Sequence, residues 1–283
     1  MTELTYDTTS RFLETAEGRM HYHEAGDGPP LLLLHGSGPG VSGWSNFRGN
    51  IGAFSERFRT IILDLPGFGA SDATEGHPAA TAPAAVIRFL DGLGIDRAGI
   101  VGNSMGGGVG SRVAAEHPAR VSRLATLGGV GINLLTASPP EGIKLLMDFV
   151  EDPSRDRLVT WMESMVYDAS ILTDELVEER WKQAGNPVAL ESAKRMYDRA
   201  LFGAMRSMMA GVNALEHLAR IEAPTLLMWG RDDRVTPVDM ALAPLRLIPK
   251  CEVHVFYDCG HWAMIERKAE FESLVLSFFG RDS

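Results

Sequence analysis

Short apolar runs alternate with helix-length segments along most of the chain, and this alternation limits the fold more than any other feature. Most of the runs lack a polar–apolar alternation, as expected of strands buried on both faces. The pattern predicts an α/β protein with a mostly parallel sheet covered by helices on both sides. Ligands in such sheets bind beyond the carboxyl ends of the strands. The apolar runs are Leu31–Leu34, Thr60–Leu63, Gly99–Val101, Leu124–Leu127, Thr225–Trp229 and Val253–Phe256, and the helical segments include Thr81–Leu93, Ser104–His117 and Pro237–Ile248.

One long segment breaks this rhythm. Residues 132–211 carry helical patterns and no convincing strand. We interpret the segment as a helical lid inserted over the sheet, so that residues 1–131 and 212–283 form the two parts of one α/β core.

The composition narrows the class of protein. The chain has 283 residues, 45% of them hydrophobic and 23% charged, with a formal net charge of -10. This charge argues against a nucleic-acid partner, and an anionic substrate would need a local positive group. No apolar run reaches the length of a membrane span, and the first ten residues show no signal-peptide pattern. The two cysteines, Cys251 and Cys259, fit neither a disulfide framework nor a zinc site. We expect a cytoplasmic protein without a membrane or metal partner.

The sequence Gly102-Asn103-Ser104-Met105-Gly106 follows a predicted strand and precedes a predicted helix. In that context a G-x-S-x-G motif places the serine on a sharp, strained turn with its hydroxyl exposed above the sheet. Glycines beside the serine remove Cβ atoms that would clash in such a turn. Ser104 is therefore the candidate nucleophile.

A serine hydroxyl needs a base to remove its proton, and the later strands supply one. Asp233 follows the strand Thr225–Trp229, and His261 follows the strand Val253–Phe256. The order Ser, Asp, His along the chain is that of the α/β-hydrolase fold. We predict a Ser104–His261–Asp233 triad, with Asp232 as the alternative acid.

A glycine-rich turn after the strand Leu31–Leu34 completes the predicted catalytic machinery. It reads His35-Gly36-Ser37-Gly38-Pro39-Gly40. Such a turn can direct backbone N–H groups at a developing oxyanion. We assign the oxyanion donors to the amides of Ser37 and Met105, the latter because it follows the nucleophile.

Together these motifs resemble the meta-cleavage product hydrolases, a branch of the α/β-hydrolase superfamily that cleaves carbon–carbon bonds in ring-fission products of aromatic catabolism. The resemblance covers nearly the whole chain. It implies substrate-binding roles for Asn46, Asn103, Arg180 and Trp262, no metal or organic cofactor, and a homo-oligomer. Its most specific pieces are HGSGPGVSGWSNF (His35–Phe47), GNSMGGG (Gly102–Gly108), VYDASILTDELVEERW (Val166–Trp181), WGRDDRVTP (Trp229–Pro237) and CGHW (Cys259–Trp262).

The helix that carries Arg180 supports one of these roles independently. Thr173 is a plausible N-cap, and Leu176, Val177, Trp181 and Ala184 form an apolar stripe at helical spacing. Arg180 falls inside that stripe, and no carboxylate lies three or four residues from it. A guanidinium on an apolar face needs a partner, for which a substrate carboxylate is suited. A buried pair with a distant acid, or a side chain that extends to solvent, is the alternative.

The sequence thus predicts serine-dependent hydrolysis of an anionic 2-hydroxy-6-oxohexa-2,4-dienoate that carries a substituent on C6. The products would be 2-hydroxypenta-2,4-dienoate and a carboxylic acid. A carboxylesterase or lactonase would use the same triad without an anion clamp, since fold alone does not decide function. A perhydrolase and a non-catalytic ligand-binding relative are weaker alternatives.

Overall fold

The computed structural model describes residues 3–136, 138–200, 202–203 and 214–281. Its centre is an eight-stranded sheet with the spatial order β1-β2-β4-β3-β5-β6-β7-β8. Strand β2 pairs antiparallel with both β1 and β4, and the remaining pairs are parallel. The strands are β1 (Ser10–Thr15), β2 (Gly18–Ala25), β3 (Pro30–Leu34), β4 (Arg59–Leu63), β5 (Ala98–Asn103), β6 (Val121–Leu127), β7 (Thr225–Gly230) and β8 (Cys251–Phe256).

Each of the six apolar runs is a strand, and the prediction of a mostly parallel sheet is confirmed. The pattern did not predict the β1–β2 hairpin, because its side chains are too mixed to form an apolar run. One detail was wrong. Strand β8 lies at the edge of the sheet, and Val253 and Val255 are exposed there rather than buried.

The central strands are apolar because both faces of the sheet are covered. In β3, Leu31 and Leu33 point into one cluster, while Leu32 and Leu34 point into the other. All four side chains are fully buried. Burial of each leucine contributes roughly 2 kcal/mol to folding, which makes β3 one of the best-anchored elements in the sheet. The loop after β3 therefore starts from a rigid base.

Twelve α-helices have defined bounds within the described ranges. Helices α4 and α5 pack on one face of the sheet, and α3 and α12 pack on the other. The predicted core helices lie within about three residues of those observed, although Pro237–Ile248 divides into a 3-10 turn, Val238–Ala241, and a short α-helix. The helices are α1 (Tyr6–Thr9), α2 (Gly43–Phe47), α3 (Ile51–Ser55), α4 (Pro78–Gly92), α5 (Met105–Glu116), α6 (Glu141–Glu151), α7 (Arg155–Ser164), α8 (Asp174–Ala184), α9 (Pro187–Tyr197), α10 (Leu242–Leu247), α11 (Ala263–Glu266) and α12 (Lys268–Phe279).

Helices α6 to α9 all lie between β6 and β7, in the segment predicted to be helical. Over the part of this segment that the structure describes, no strand interrupts them. The predicted end of the insertion, residue 211, lies outside the described residues. Within those residues, no helix has both the length and the apolar character needed to span a bilayer.

Candidate active site

A cavity opens at the carboxyl end of the sheet, between the strand ends and the helices of the segment from β6 to β7. It brings together the loops after β3, β5, β7 and β8, as expected for ligand sites in parallel sheets. All of the residues predicted for the site line it except Asp233 and Met105. Asp233 is the exception among the triad residues, and it lies behind His261. The lining residues are Gly36, Ser37, Gly38, Val41, Asn46, Asn103, Ser104, Leu146, Trp161, Met165, Arg180, Tyr197, Val235, His261 and Trp262.

Ser104 occupies the turn between β5 and α5 in a conformation that few residues adopt. Its φ of 51° and ψ of -116° place it outside the helical and extended regions. A Cβ on Gly102 would lie 2.3 Å from the carbonyl oxygen of Gly106, and a Cβ on Gly106 would lie 2.1 Å from that of Leu34. The glycines are therefore required for the turn to form, and such strain is typical of functional positions.

The loops after β7 and β8 bring Asp233 and His261 into contact. The His261 Nδ1–H donates to Asp233 Oδ2 over 2.6 Å, and both side chains are almost fully buried. The amides of Val235 and Thr236 donate to Asp233 Oδ1, each over 2.8 Å. The Thr236 hydroxyl donates to Asp233 Oδ2 over 2.9 Å. These bonds fix the carboxylate and thereby the orientation of the imidazole.

Asp232, the alternative acid, makes its contacts with other groups. Its carboxylate lies 3.3 Å from the Arg231 guanidinium and accepts a 3.4 Å hydrogen bond from the Cys259 amide. The structure therefore brings Asp233 to His261, as we predicted. No sequence signal identified Thr236 as the third partner of this carboxylate.

Three further hydrogen bonds hold the loop that carries His261. The His261 amide donates to the Met165 carbonyl over 2.7 Å. The Glu266 carboxylate accepts from the Gly260 amide over 2.9 Å and from the Tyr167 amide over 2.7 Å. Burial raises the pKa of Glu266, while these amide bonds oppose the rise. No sequence signal indicated the bonds to Met165 and Tyr167, because they join segments about 95 residues or more apart.

The glycine-rich turn after β3 lies directly beside the nucleophile. A Cβ on Gly36 would lie 3.4 Å from Ser104 Cβ. His35 is structural here: its Nε2 accepts from the Leu65 amide over 3.0 Å. Helix α5 begins at Met105, so the Met105 amide is one of the first N–H groups that have no carbonyl partner within a helix. Met105 directly follows Ser104 in the chain, and Ser37 belongs to the turn that packs against Ser104.

Both predicted asparagines are buried in the wall of the cavity. Asn46 Oδ1 accepts from the Gly36 amide over 3.1 Å, and Asn103 Nδ2 donates to the Leu127 carbonyl over 3.2 Å. Asn46 Nδ2 is buried and has no hydrogen-bond partner among the described residues. Because an unpaired buried donor costs about 1–3 kcal/mol, this group is suited to bind a ligand oxygen.

Arg180 lies on helix α8 with only 4% of its surface exposed. The Thr173 side chain caps this helix by accepting from the Leu176 amide, and Val177 and Ala184 are buried with Arg180 on the same face. Its guanidinium donates a long, 3.5 Å hydrogen bond to the Pro39 carbonyl and lies 5.6 Å from the centroid of the Trp262 ring. Across the described ranges it forms no ion pair with a carboxylate. Burial lowers the pKa of Arg180 to about 10, so the group keeps its charge at neutral pH.

The cavity wall also contains two side chains with polar groups that were not predicted for the site. The indole Nε1 of Trp161 is buried and unpartnered in the part of the chain that the structure describes. The Tyr197 hydroxyl lies 2.5 Å from Ser37 Oγ. Both lie in the segment between β6 and β7, where the helical pattern alone does not show which side chains point toward the sheet.

A second Ser–His–Asp chain lies at the edge of the sheet, away from the cavity. The Ser10 hydroxyl donates to His21 Nε2 over 2.8 Å, and His21 Nδ1 donates to Asp64 Oδ2 over 2.8 Å. The Asp64 carboxylate also accepts from the amides of Gly43 and Ala70, so it joins several loops. Ser10 opens a regular strand rather than a strained turn, and we regard this network as structural. In the described ranges no three His, Cys, Asp or Glu side chains are grouped so as to hold a metal ion.

This arrangement can perform acyl transfer on an anionic substrate. A serine on a strained turn, an imidazole oriented by a buried carboxylate and two backbone donors supply the parts that nucleophilic catalysis needs. A charged guanidinium and an unpaired amide donor on the same cavity wall add a place for a carboxylate.

The family profile of the alpha/beta hydrolase fold matches residues 29–268. Among curated proteins, a 2-hydroxy-6-oxononadienedioate/2-hydroxy-6-oxononatrienedioate hydrolase of Comamonas testosteroni is 38% identical over 289 residues, which cover 98% of this chain and 99% of its own. A 2-hydroxy-6-oxo-6-phenylhexa-2,4-dienoate hydrolase of the same species is also 38% identical, with the same coverage.

Solved structures of similar hydrolases also match this chain over nearly its whole length. A meta-cleavage product hydrolase of Pseudomonas fluorescens IP01 superposes with a TM-score of 0.85 at 32% identity, covering 96% of this chain and 97% of its own. A 2-hydroxy-6-oxo-6-phenylhexa-2,4-dienoate hydrolase of Rhodococcus sp. strain RHA1 has a TM-score of 0.86 at 29% identity, covering 96% and 98%.

Proposed function

Since the chain belongs to the meta-cleavage product hydrolases of the α/β-hydrolase fold, we propose that it hydrolyses a carbon–carbon bond in a 2-hydroxy-6-oxohexa-2,4-dienoate. Water and the dienoate would give 2-hydroxypenta-2,4-dienoate and the carboxylic acid derived from C6. The observation that carries this proposal is the buried Arg180 guanidinium, which lines the same cavity as Ser104 and has no carboxylate partner in the described part of the chain.

The substrate carboxylate is the natural partner of Arg180. Removing a guanidinium from water is costly unless an anion and hydrogen bonds replace the lost solvation. Asn46 Nδ2, which is unpaired and buried, offers a second donor nearby. We assign Asn103 and Trp262 to the same clamp because both line the cavity, and Trp262 packs beside the guanidinium.

This clamp has a chemical purpose beyond binding. Direct attack on the C6 ketone would require a carbanion to leave, which is highly unfavourable. If the dienol first ketonises, with a proton added at C5, the later cleavage moves electrons into the 2-oxo acid. Positive charge and hydrogen-bond donors around the carboxylate and the 2-oxo oxygen would stabilise the charge that develops there.

The triad then performs the cleavage. His261 removes the Ser104 proton, Ser104 attacks C6, and the amides of Ser37 and Met105 hold the oxyanion. Breaking the C5–C6 bond leaves an acyl group on Ser104, and the protonated His261 gives its proton to the departing dienolate, which leaves as the dienol. Water, deprotonated by His261, hydrolyses this ester. Asp233 holds the imidazole in the required tautomer throughout.

We propose an apolar substituent on C6. Among the described residues that line the cavity, Arg180 is the one side chain with a permanent positive charge, and the clamp uses it. Much of the remaining wall is apolar, including Val41, Leu146, Met165 and Val235. A second carboxylate, as in the dienedioates named for one group of relatives, would have no such partner there.

We also propose that residues 132–211 act as a lid on a core formed by residues 1–131 and 212–283. The lid helices supply Arg180, Trp161 and Tyr197 to the cavity wall.

We further propose that the protein is a cytoplasmic homo-oligomer. Both cysteines are free, which suits a reducing compartment. The exposed valines of β8 offer an apolar edge for a second copy of the chain. Light scattering of the purified protein tests the oligomer.

The test of the activity is a panel of dienoates that differ at C6, followed by loss of their visible absorbance. We expect turnover of dienoates and only slow hydrolysis of simple esters. The second candidate is a carboxylesterase or lactonase, for which the triad alone suffices. Rapid turnover of neutral esters together with no turnover of any dienoate would replace our proposal with that one.

A further inference from the structure

A hydrogen bond between two hydroxyls joins the lid to the turn that carries the proposed oxyanion donor. The Tyr197 hydroxyl lies 2.5 Å from Ser37 Oγ. Tyr197 ends helix α9, whereas Ser37 follows strand β3, and both are buried side chains that line the cavity. The contact therefore lies at the active site and is not a surface bridge.

One O–H donor of this pair has no acceptor among the described residues. Two hydroxyls carry two O–H donors, and one of these is used in the bond between them. Within the described residues, neither hydroxyl has another hydrogen-bond partner. One O–H proton is therefore left for a ligand oxygen in the cavity.

The direction of the bond follows from the chemistry of the two groups. A phenol is a stronger acid than an alcohol and thus the better donor, so we assign Tyr197 as the donor to Ser37 Oγ. Burial raises the pKa of Tyr197 to about 12, and the phenol keeps its proton at neutral pH. The O–H donor without an acceptor is then that of Ser37, whose turn packs against Ser104.

Helix α9 can hold this hydroxyl in place. The Asn186 side chain caps its first turn by accepting from the amides of Val188 and Ala189. Ser192 Oγ donates to the Gly67 carbonyl over 2.8 Å, which fixes the middle of the helix to the core. Tyr197 thus reaches Ser37 from a helix that is itself attached to the core.

We propose that Tyr197 is a positioning residue. It takes no part in bond making, and it directs the Ser37 hydroxyl toward the oxyanion. That hydroxyl is then a third donor beside the amides of Ser37 and Met105. The inference rests on the proposed acyl-transfer chemistry at Ser104, and it adds Tyr197 to the residues that determine its rate.

The test compares Tyr197→Phe, Ser37→Ala and the double variant with wild type. Tyr197→Phe removes only the hydroxyl, and Ser37→Ala keeps the backbone amide. Tyr257→Phe is the matched control, because Tyr257 is 60% exposed and does not line the cavity. Three rates are measured in the full-length protein: dienoate turnover, p-nitrophenyl acetate hydrolysis, and labelling of Ser104 by a fluorophosphonate, whose oxygen occupies the same hole.

We expect each single variant to lose about tenfold in kcat and in labelling rate, consistent with the loss of one hydrogen bond in the transition state, while KM changes less than about twofold. The double variant should match the single variants, because both substitutions remove the same hydrogen-bonded pair. In single-turnover experiments the cleavage phase should slow and the ketonisation phase should not.

Several results would overturn the inference. These are wild-type rates for Tyr197→Phe, losses that multiply to about a hundredfold in the double variant, and a fall in thermal stability with normal rates for the folded fraction. If wild type cleaves no dienoate, the proposed substrate fails, yet the ester and labelling rates still decide the role of Tyr197.

Discussion

The Arg180 guanidinium lies 5.6 Å from the centroid of the Trp262 ring, and Trp262 directly follows His261 in the chain. The proposed carboxylate clamp and the catalytic base therefore share one short loop. A substrate held by Arg180 is placed relative to His261 through a single packed contact. Binding and chemistry are coupled by this geometry, and substitutions can separate them.

The first prediction concerns Arg180→Gln. This change should lower kcat/KM on a dienoate by roughly 10²-fold or more, equivalent to a charge-assisted contact of about 3 kcal/mol. Hydrolysis of p-nitrophenyl acetate should barely change, since the ester has no carboxylate. Arg48→Gln is the control, because Arg48 is an exposed arginine paired with Glu179. Equal losses on both substrates, with an intact circular dichroism spectrum, would show that Arg180 supports the fold instead.

The second prediction concerns the nucleophile. Ser104→Ala should reduce turnover below about a thousandth of wild type, the usual cost of losing a triad member. The strained backbone is set by the flanking glycines, so the fold should persist. Dienoate should still bind and show the spectral change of ketonisation in stopped-flow measurements. Substantial residual cleavage would exclude Ser104 as the nucleophile.

The third prediction separates the two neighbouring aspartates. Asp233→Asn should severely reduce turnover, because the imidazole loses the acceptor that fixes its tautomer. Asp232→Asn should cost far less, because that carboxylate contacts Arg231 and the Cys259 amide. Steady-state kinetics of both variants at one pH give the comparison. The reverse ranking would show that the acid has been assigned to the wrong position.

The fourth prediction concerns substrate preference. A 6-phenyl dienoate should have a kcat/KM at least about tenfold above that of a dienedioate, because the second carboxylate must be desolvated against an apolar wall. Parallel assays of the two compounds under the same conditions measure this ratio. A preference for the dienedioate would contradict the apolar C6 site while leaving the bond cleavage itself in place.

The fifth prediction concerns pH and stability. Burial raises the pKa of Asp239, but hydrogen bonds from the Leu135 amide, the Thr136 hydroxyl and the Leu134 amide outweigh it and lower the pKa to about 2. The carboxylate therefore stabilises the fold above its unfolded pKa of about 4, and this contribution is lost as pH falls toward 2. Asp239→Asn should lower the free energy of unfolding at pH 7 and should cost progressively less below pH 4. Urea denaturation from pH 7 to 3 measures the difference, and a constant difference would contradict the assignment.

The sequence predicted the sheet and the triad because both follow from local patterns. The leucines of β3 predict a strand buried on both faces. The glycines around Ser104 predict a tight turn, because a residue with a Cβ would clash at their positions. Asp233 and His261 lie in the loops that follow strands β7 and β8. In such cases the residue type and the position along the chain contain the structural information.

The unpredicted parts depend on contacts between distant segments. Tyr197 ends a helix whose apolar pattern resembles ordinary packing, and its hydroxyl meets Ser37, 160 residues earlier in the chain. Thr236 and Glu266 support Asp233 and the His261 loop through bonds that no spacing rule describes. The exposure of β8 follows from its position at the edge of the sheet, which depends on the order of the strands and not on their composition.

The bond from the His261 amide to the Met165 carbonyl has a consequence for protein engineering. It makes the insertion between β6 and β7 an incomplete module, since the backbone that positions the catalytic base lies partly within it. A chimera that takes its lid from another hydrolase would exchange the pocket and the support of the imidazole at once. Grafts that keep residues 165–167 and exchange the helices around them should therefore transfer specificity with less loss of rate than whole-segment grafts.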